Sequence, residues 1–388
     1  MKQRYYSLDV FRGATVALMI LVNNPGSWGH IYAPLKHAPW HGCTPTDLVF
    51  PFFLFAVGNA MAFVMPGLEA AGTAIFLKKI VKRTILIFAI GLFLNWAPFV
   101  RWSGEELVFK NWVDPQNPQN GIRILGVLQR IALCYFFASL VIYFFKIRGA
   151  FVICAVLLLG YWMLCLLGNP ADPFSLEGWF GTAIDKRLLG EAHMYKGEGI
   201  AFDPEGLIST IPAIVQVIFG YFVGNYIQQK GRNYEMLSNL FVGGAVLIFA
   251  GFCWDLSFPI NKKIWTSSFV IYTTGLAIMV LSVLIYLLEF KAAKGVWSRF
   301  FDVFGKNPLF IFVLSGFLPR FLGLFRWVDH VNEDGKKIYT SVFPWFYEHV
   351  CKLIPGLKNG SLFYALCMIT LMWLIVWWMD QKKIYIKV

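Results

Sequence analysis

The sequence predicts an all-α polytopic transmembrane helical bundle of about ten spanning helices, with both termini cytoplasmic. Three observations carry this. Of 388 residues 58% are hydrophobic and only 14% charged, whereas a soluble domain carries roughly 25% charged residues. Apolar runs of about 20 residues recur along the chain, each long enough to cross a ~30 Å hydrocarbon core. Lysine and arginine collect in alternate, short connections. A soluble domain, a disordered chain and a disulfide scaffold are excluded by the first observation alone.

The first run, 8–25, follows Lys2 and Arg4 as a secretory signal would. Asp9 and Arg12 lie inside it, however, and no small-residue cleavage site follows, so it reads as a retained membrane helix. Charged or Pro/Gly-rich breaks delimit the remaining spans at 48–66, 84–100, 123–145, 149–168, 207–228, 239–255, 265–289, 300–319 and 361–380. A further stretch, Val342 to Ile354, is too short to span and carries Glu348 and His349, which marks an interfacial or re-entrant piece. No repeat and no low-complexity tract interrupts the pattern, so residues 1–388 read as one membrane domain.

Sixteen basic residues sit on one side in roughly 57 residues of loop: Lys2, Arg4, Lys78, Lys79, Lys82, Arg83, Lys146, Arg148, Lys230, Arg232, Lys291, Lys294, Arg299, Lys382, Lys383 and Lys387. Fourteen are spread over roughly 130 residues on the other. The net charge of +12 therefore reports membrane orientation, and no nucleic-acid motif accompanies it. The outer side receives the long loops 26–47, 101–122, 169–206, 256–264 and 320–360, rich in Trp, His, Asp, Glu and Gly. Loops of that length are where a water-soluble substrate is expected to bind. The seven cysteines form no CxxC pair and lie mostly in apolar segments, as small packing residues do.

Ionisable groups inside the membrane are costly and are default functional candidates. Asp9 and Arg12, three residues apart, form either a structural pair or part of an anion site at the inner end. Arg123 stands at the outer end of the fourth span, with Gln129 and Arg130 two turns deeper in GVLQR; an arginine at that depth needs a carboxylate, carbonyls or a ligand. Lys306 and Asn307 in FGKNP lie near the cytoplasmic face, where Pro308 breaks the helix. With Arg12 and Arg83 they are placed to surround a phosphate-rich ligand.

On the outer side, residues 23–51 hold His30, His37 and His41. Imidazole suits proton transfer near neutral pH and nucleophilic attack on a thioester, but histidine and tryptophan are also ordinary residents of a membrane interface. His37 and His41 have the spacing of a helical zinc pair, yet Pro39 separates them and HExxH is absent, so no metal is expected. GxSxG, the Walker loop and GxGxxG are absent too. Asp203 and Glu205 precede the sixth span, and Asn261, Lys262 and Lys263 the eighth. Such residues either cap helices or, in the case of the carboxylates Asp203 and Glu205 beside an outer cavity, suit a cationic or polyhydroxyl substrate such as an amino sugar.

The motifs SLDVFRG (7–13), VNN (22–24), KHAPWHG (36–42), TDLVFPFFLFAVG (46–58), GVLQR (126–130), DPEG (203–206) and INKKIW (260–265) resemble, in order and topology, the heparan-α-glucosaminide N-acetyltransferase family. The resemblance implies a transmembrane acyltransferase that takes acetyl groups from cytoplasmic acetyl-CoA, without a metal, and delivers them to an amino sugar on the far side. It implies His37 as the essential catalytic residue and Asn23 as its active-site companion, and a homodimer. Arg12, Arg83, Gln129, Arg130, Lys306 and Asn307 are then expected to hold acetyl-CoA, and Asp47, Asp203, Glu205 and Asn261 the acceptor. The family's amino-terminal lumenal domain has no counterpart here, so the expected acceptor is a glucosamine-type sugar rather than heparan sulfate; in a bacterium the site would face the periplasm from the inner membrane. His37 is expected to act as base or as an acetyl carrier, Asn23 to donate to the oxyanion and Asp47 to orient His37 or the sugar. Two other readings use the same polar cavity: a glycan O-acetyltransferase, and a transporter of a sugar or lipid-linked intermediate without chemistry.

Overall fold

The computed structural model describes residues 5–386; Lys2, Arg4 and Lys387, used above for orientation, lie outside them. The chain is an all-α polytopic membrane protein. Its helices are α1 (Tyr6–Asn23), α2 (Val49–Ala70), α3 (Thr73–Trp96), α4 (Val127–Gly168), α5 (Gly181–Leu189), α6 (Leu207–Lys230), α7 (Tyr234–Asp255), α8 (Ser267–Ile285), α9 (Val296–Lys306), α10 (Pro308–Leu322), α11 (Val342–His349) and α12 (Leu357–Gln381). Among the described residues seven helices are long and apolar enough to cross a membrane, eight if the bent pair α9 and α10 is one span.

Nine of the ten predicted spans fall on a helix or helical arm, and 300–319 is divided between α9 and α10. The 42-residue α4 leaves helical geometry at Lys146 (φ 56°, ψ −171°), where the sequence separates 123–145 from 149–168. α3 begins with Lys78, Lys79, Lys82 and Arg83 in its first three turns, so it is less apolar than its neighbours. α9 and α10 meet at 81°, because Pro308 has no N–H to continue the ladder and crowds the preceding turn. The Val342 to Ile354 stretch folds as the short α11 and a tight turn.

α2 and α6 pack closely against one another. A Cβ on Gly58 would strike the Val217 carbonyl, and one on Gly220 the Phe55 carbonyl, so the two backbones touch across reciprocal glycines, as small residues permit in membrane interiors.

The five long loops meet at one end of the bundle. Gly42 N donates to Ile260 O (2.7 Å), Trp102 Nε1 to Leu324 O (3.1 Å), and Arg123 pairs with Asp203. The opposite end holds the short basic connections and both ends of the described chain: Ser7 N donates to Glu289 (3.0 Å), Lys306 pairs with Asp380 (3.0 Å) and Lys146 with Glu69 (3.0 Å).

Three hairpins, which the sequence reading treats as plain loop, stiffen the long-loop end: β1 (Val100–Ser103) with β2 (Glu106–Phe109), β3 (Val113–Asp114) with β4 (Asn117–Gly121), and β5 (Arg326–Val331) with β6 (Lys337–Ser341). Each is too short to give a periodic signal. Gly104 and Gly335, at positive φ in two of the turns, were the available hint.

Candidate functional site

Two cavities lie end to end between α2 and α4. The outer one, about 270 Å³, is lined among others by Asn23, His37, Trp40, Asp47, Phe50, Phe53, Arg123, Val127, Tyr195, Glu198, Glu205, Lys262 and Trp265. Its floor comes from α2 and α4, its walls from the long loops.

His37 sits on the extended segment after a short turn, and its Nδ1 lies 2.6 Å from Asp47 Oδ1. The other oxygen of Asp47 accepts from Ala38 N, Thr44 N and Thr44 Oγ1, each at 3.0 Å. Asp47 is 1% exposed, and a carboxylate with that many donors stays ionised and acceptor-only. The Nδ1–H of His37 therefore donates to it, which leaves Nε2 as the unprotonated nitrogen.

Lys262 brings a cation to the same spot, with Nζ 3.1 Å from His37 Nδ1 and 3.5 Å from Asp47 Oδ1. Burial holds the Lys262 amine below its ordinary range, against the pull of Asp47 and Glu205. Lys263 is occupied elsewhere, on Glu198 (2.5 Å) and Pro39 O (2.7 Å).

Opposite stands a carboxylate and guanidinium clamp. Arg123 donates from Nε and Nη2 to Asp203 (3.0 and 2.5 Å) and from Nη2 to Glu205 (2.5 Å), and lies over the Tyr195 ring at 4.9 Å. Burial alone would raise the Glu205 carboxyl, but Arg123 and Arg130 outweigh it and hold the group below its usual value.

The loop that presents Lys262 is braced by Asn261. Its Oδ1 accepts from Lys263 N (2.7 Å) and Ile264 N (3.1 Å), and its Nδ2 meets His41 Nδ1 at 3.3 Å. Trp265 in this loop adopts φ 53° while fully buried, a conformation non-glycine residues hold only when their surroundings enforce it. Edge-on contact with Phe50 (5.1 Å) and the Arg130 guanidinium at 5.1 Å supply that enforcement.

The inner cavity, about 410 Å³, is lined by apolar residues from Phe53 to Leu68 of α2, by Leu128, Ile131, Tyr135 and Ser139 of α4, and at its basic end by Arg12, Arg83, Lys306 and Ile386. The fifteen helical steps from Phe53 to Leu68 span about 22 Å. Arg12 donates to Gly305 O (2.8 Å) and Asp9 (2.9 Å), and Lys306 pairs with Asp302 (2.9 Å) and Asp380 (3.0 Å). Arg83 lies over the Tyr135 ring at 4.7 Å.

The structure thus brings Asn23, His37, Asp47 and Glu205 to one cavity, and Arg12, Arg83 and Lys306 to the other. The remaining expected contacts lie elsewhere. Asp203 is wholly buried behind Arg123, and Asn261 is consumed by its own loop. Gln129 donates to Ile124 O (2.9 Å) and packs against Gly91. Arg130, 0% exposed, reaches Gly206 O (3.1 Å) and Ser209 toward the long-loop end, so neither residue lines the inner cavity. Asn307 ties down the chain end, with Nδ2 donating to Ile384 O (3.0 Å) and Oδ1 accepting from Ile386 N (2.8 Å). Phe53, Lys262, Arg123 and Tyr195 complete the lining without having been assigned site roles from sequence. In the sequence Lys262 stands out only as a member of the polar cluster before the eighth span. Among the described residues no three His, Cys, Asp or Glu side chains assemble a metal site.

No family model matches the chain. Among curated proteins it is 26% identical to heparan-alpha-glucosaminide N-acetyltransferase of Homo sapiens over 402 residues, covering 87% of this chain and 56% of the relative. It is 26% identical to the Mus musculus protein of the same name over 380 residues, covering 84% and 55%. The chain spans about half the length of these relatives. The resemblance to the heparan-α-glucosaminide N-acetyltransferase family read from the motifs is thus borne out, distantly, along most of this chain.

Proposed function

We propose that the protein is a transmembrane acetyltransferase that moves an acetyl group from acetyl-CoA, held in the inner cavity, to the amine of a glucosamine-type sugar in the outer one. The observation that carries this reading is the end-to-end pair of cavities, with His37 and Asp47 in the one and a cationic mouth on the other. The inner cavity is narrow, apolar and as long as an extended pantetheine arm, and Arg83, Arg12 and Lys306 at its mouth suit the phosphates of a nucleotide too polar to enter lipid. The basic end faces the cytoplasm under the positive-inside rule, and the long loops face the opposite compartment.

In the outer cavity Glu205 and Tyr195 face a polyhydroxyl acceptor, with Trp40 as an apolar platform. The acceptor nitrogen attacks the thioester carbon as His37 Nε2 takes its proton. Asn23 donates to the developing oxyanion, and the C–S bond breaks with the proton passing on to the CoA sulfur. Asp47 holds the imidazole in the required tautomer throughout. Residues 1–388 act in this reading as one membrane domain.

The test is acetyl-CoA turnover by detergent-purified protein with glucosamine as acceptor, wild type against His37→Ala. N-acetylglucosamine made by the first and lost in a folded variant supports the assignment; alkali-labile product would instead indicate transfer to a hydroxyl, and failure to bind acetyl-CoA would sink it.

A further inference from the structure

The two cavities share a single lining residue among those described, Phe53. On α2, Phe50 one turn toward the long loops belongs to the outer cavity, while Ala56 and Val57 one turn the other way belong to the inner. On α4 the change falls between adjacent residues, Val127 outside and Leu128 inside. The Phe53 ring is 9% exposed and packs in the principal apolar core. The outer cavity is walled by the long loops, and the inner one reaches Arg12, Lys306 and Ile386 at the opposite end. Along this path the two cavities meet at Phe53.

Resting on the acetyl-transfer reading for its catalytic half, we propose that Phe53 is the septum between donor and acceptor cavities, which both seals the bundle and makes the thioester available to the amine rather than to water. The ring must turn aside for the thioester carbon to come within reach of His37. In its closed position it shields that carbon. Were the septum lost, water admitted from the outer cavity would attack the thioester carbon, the C–S bond would break, and acetate and free CoA thiol would form, with one of the water's protons going to the sulfur and the other to solvent. A larger ring at the same place would keep the seal and block the passage. Apolar barriers of this kind exclude water by leaving it no hydrogen-bond partners.

Two measurements on the full chain separate the halves of this proposal. In phospholipid vesicles containing a trapped pH dye, Phe53→Ala is expected to dissipate an imposed pH gradient on the order of tenfold faster than wild type, and Phe53→Trp no faster. In detergent, Phe53→Ala is expected to hydrolyse acetyl-CoA without acceptor on the order of tenfold faster, whereas Phe53→Trp binds CoA like wild type but transfers at least tenfold more slowly, the scale on which steric exclusion discriminates. Phe53→Leu, a smaller perturbation of the core, carries the same signs if the alanine variant fails to fold. Tight vesicles and unchanged hydrolysis in a folded alanine or leucine variant would overturn the proposal, as would normal transfer by the tryptophan variant. Leaky Phe53→Ala vesicles together with a wild type that binds no acetyl-CoA would keep the seal and overturn the acetyl-transfer reading.

Discussion

Asp47 holds His37 through one carboxylate oxygen, 2.6 Å from Nδ1, while its other oxygen is saturated by the backbone and side chain of the same loop. One buried charge thus sets both the shape of the loop and the tautomer of the ring. Asp47→Asn presents an amide where Nδ1–H needs an acceptor, which favours the wrong tautomer. Turnover is expected to fall by about 10²–10⁴, the range for losing a positioned general base, with CoA binding retained. Turnover within threefold of wild type would show that His37 does not depend on this partner.

Lys262 gives a pH test. Burial lowers its amine below the ordinary lysine range, so the cation beside His37 is present below that lowered value and lost as pH rises through it. An arginine stays charged far higher. If the cation matters to turnover, the alkaline fall in rate is expected to move to higher pH in Lys262→Arg, and Lys262→Met is expected to be slow at every pH. An alkaline limb at the same pH in wild type and Lys262→Arg would remove this residue from the mechanism.

Asp185 supplies a stability test away from the cavity. Its Oδ1 accepts from Leu207 N at the start of α6 (3.0 Å), and its side chain is fully buried. Burial, with the nearby Asp203, raises its carboxyl to about 6. The folded chain therefore keeps a proton that the unfolded chain gives up near 3.8. Stability is unaffected below that, falls as pH rises from there to about 6, and is level above, by at most about 3 kcal/mol. Asp185→Asn keeps the acceptor and cannot ionise, so its melting temperature is expected to equal or exceed wild type at pH 7 and to lose this slope. Parallel melting curves for the two proteins across the window would refute the assignment.

At the inner mouth the three cations are unequal. Arg12 and Lys306 are each paired with a carboxylate, whereas Arg83 is described on the Tyr135 ring and has the most charge to offer an anion. Arg83→Ala is expected to weaken CoA binding by roughly tenfold and to flatten its salt dependence, a loss typical of one charge-assisted contact. Titration of CoA at two salt concentrations measures it. Equal affinity in both proteins would move the phosphates elsewhere.

The membrane fold was legible because its signal is summed over whole spans: twenty apolar residues outweigh one Lys146 or one Asp9. The crowding of histidine, proline and tryptophan into a short outer loop marked that loop, but His37 was singled out from its neighbours only by the KHAPWHG resemblance. What escaped depends on partners far apart in the chain. Lys262 reaches His37 across 225 residues, and Arg123 meets Asp203 across 80; neither spacing leaves a periodic mark. Gln129 and Arg130 were expected at the donor from their depth alone, and depth does not say which way a side chain turns: Gln129 turns to Gly91 and Arg130 to the DPEG loop. Phe53 is one of many phenylalanines in α2, and only the cavities on either side distinguish it.

The elbow between α9 and α10 has a practical side. Asn307 grips the backbone at Ile384 and Ile386, and Ile386 is itself part of the inner cavity wall. The last described residues are thus part of the inner cavity wall rather than a loose tail. An environment-sensitive fluorophore placed at Ile386 itself would report when that cavity fills, whereas a bulky group at the same position would compete with the ligand being sought.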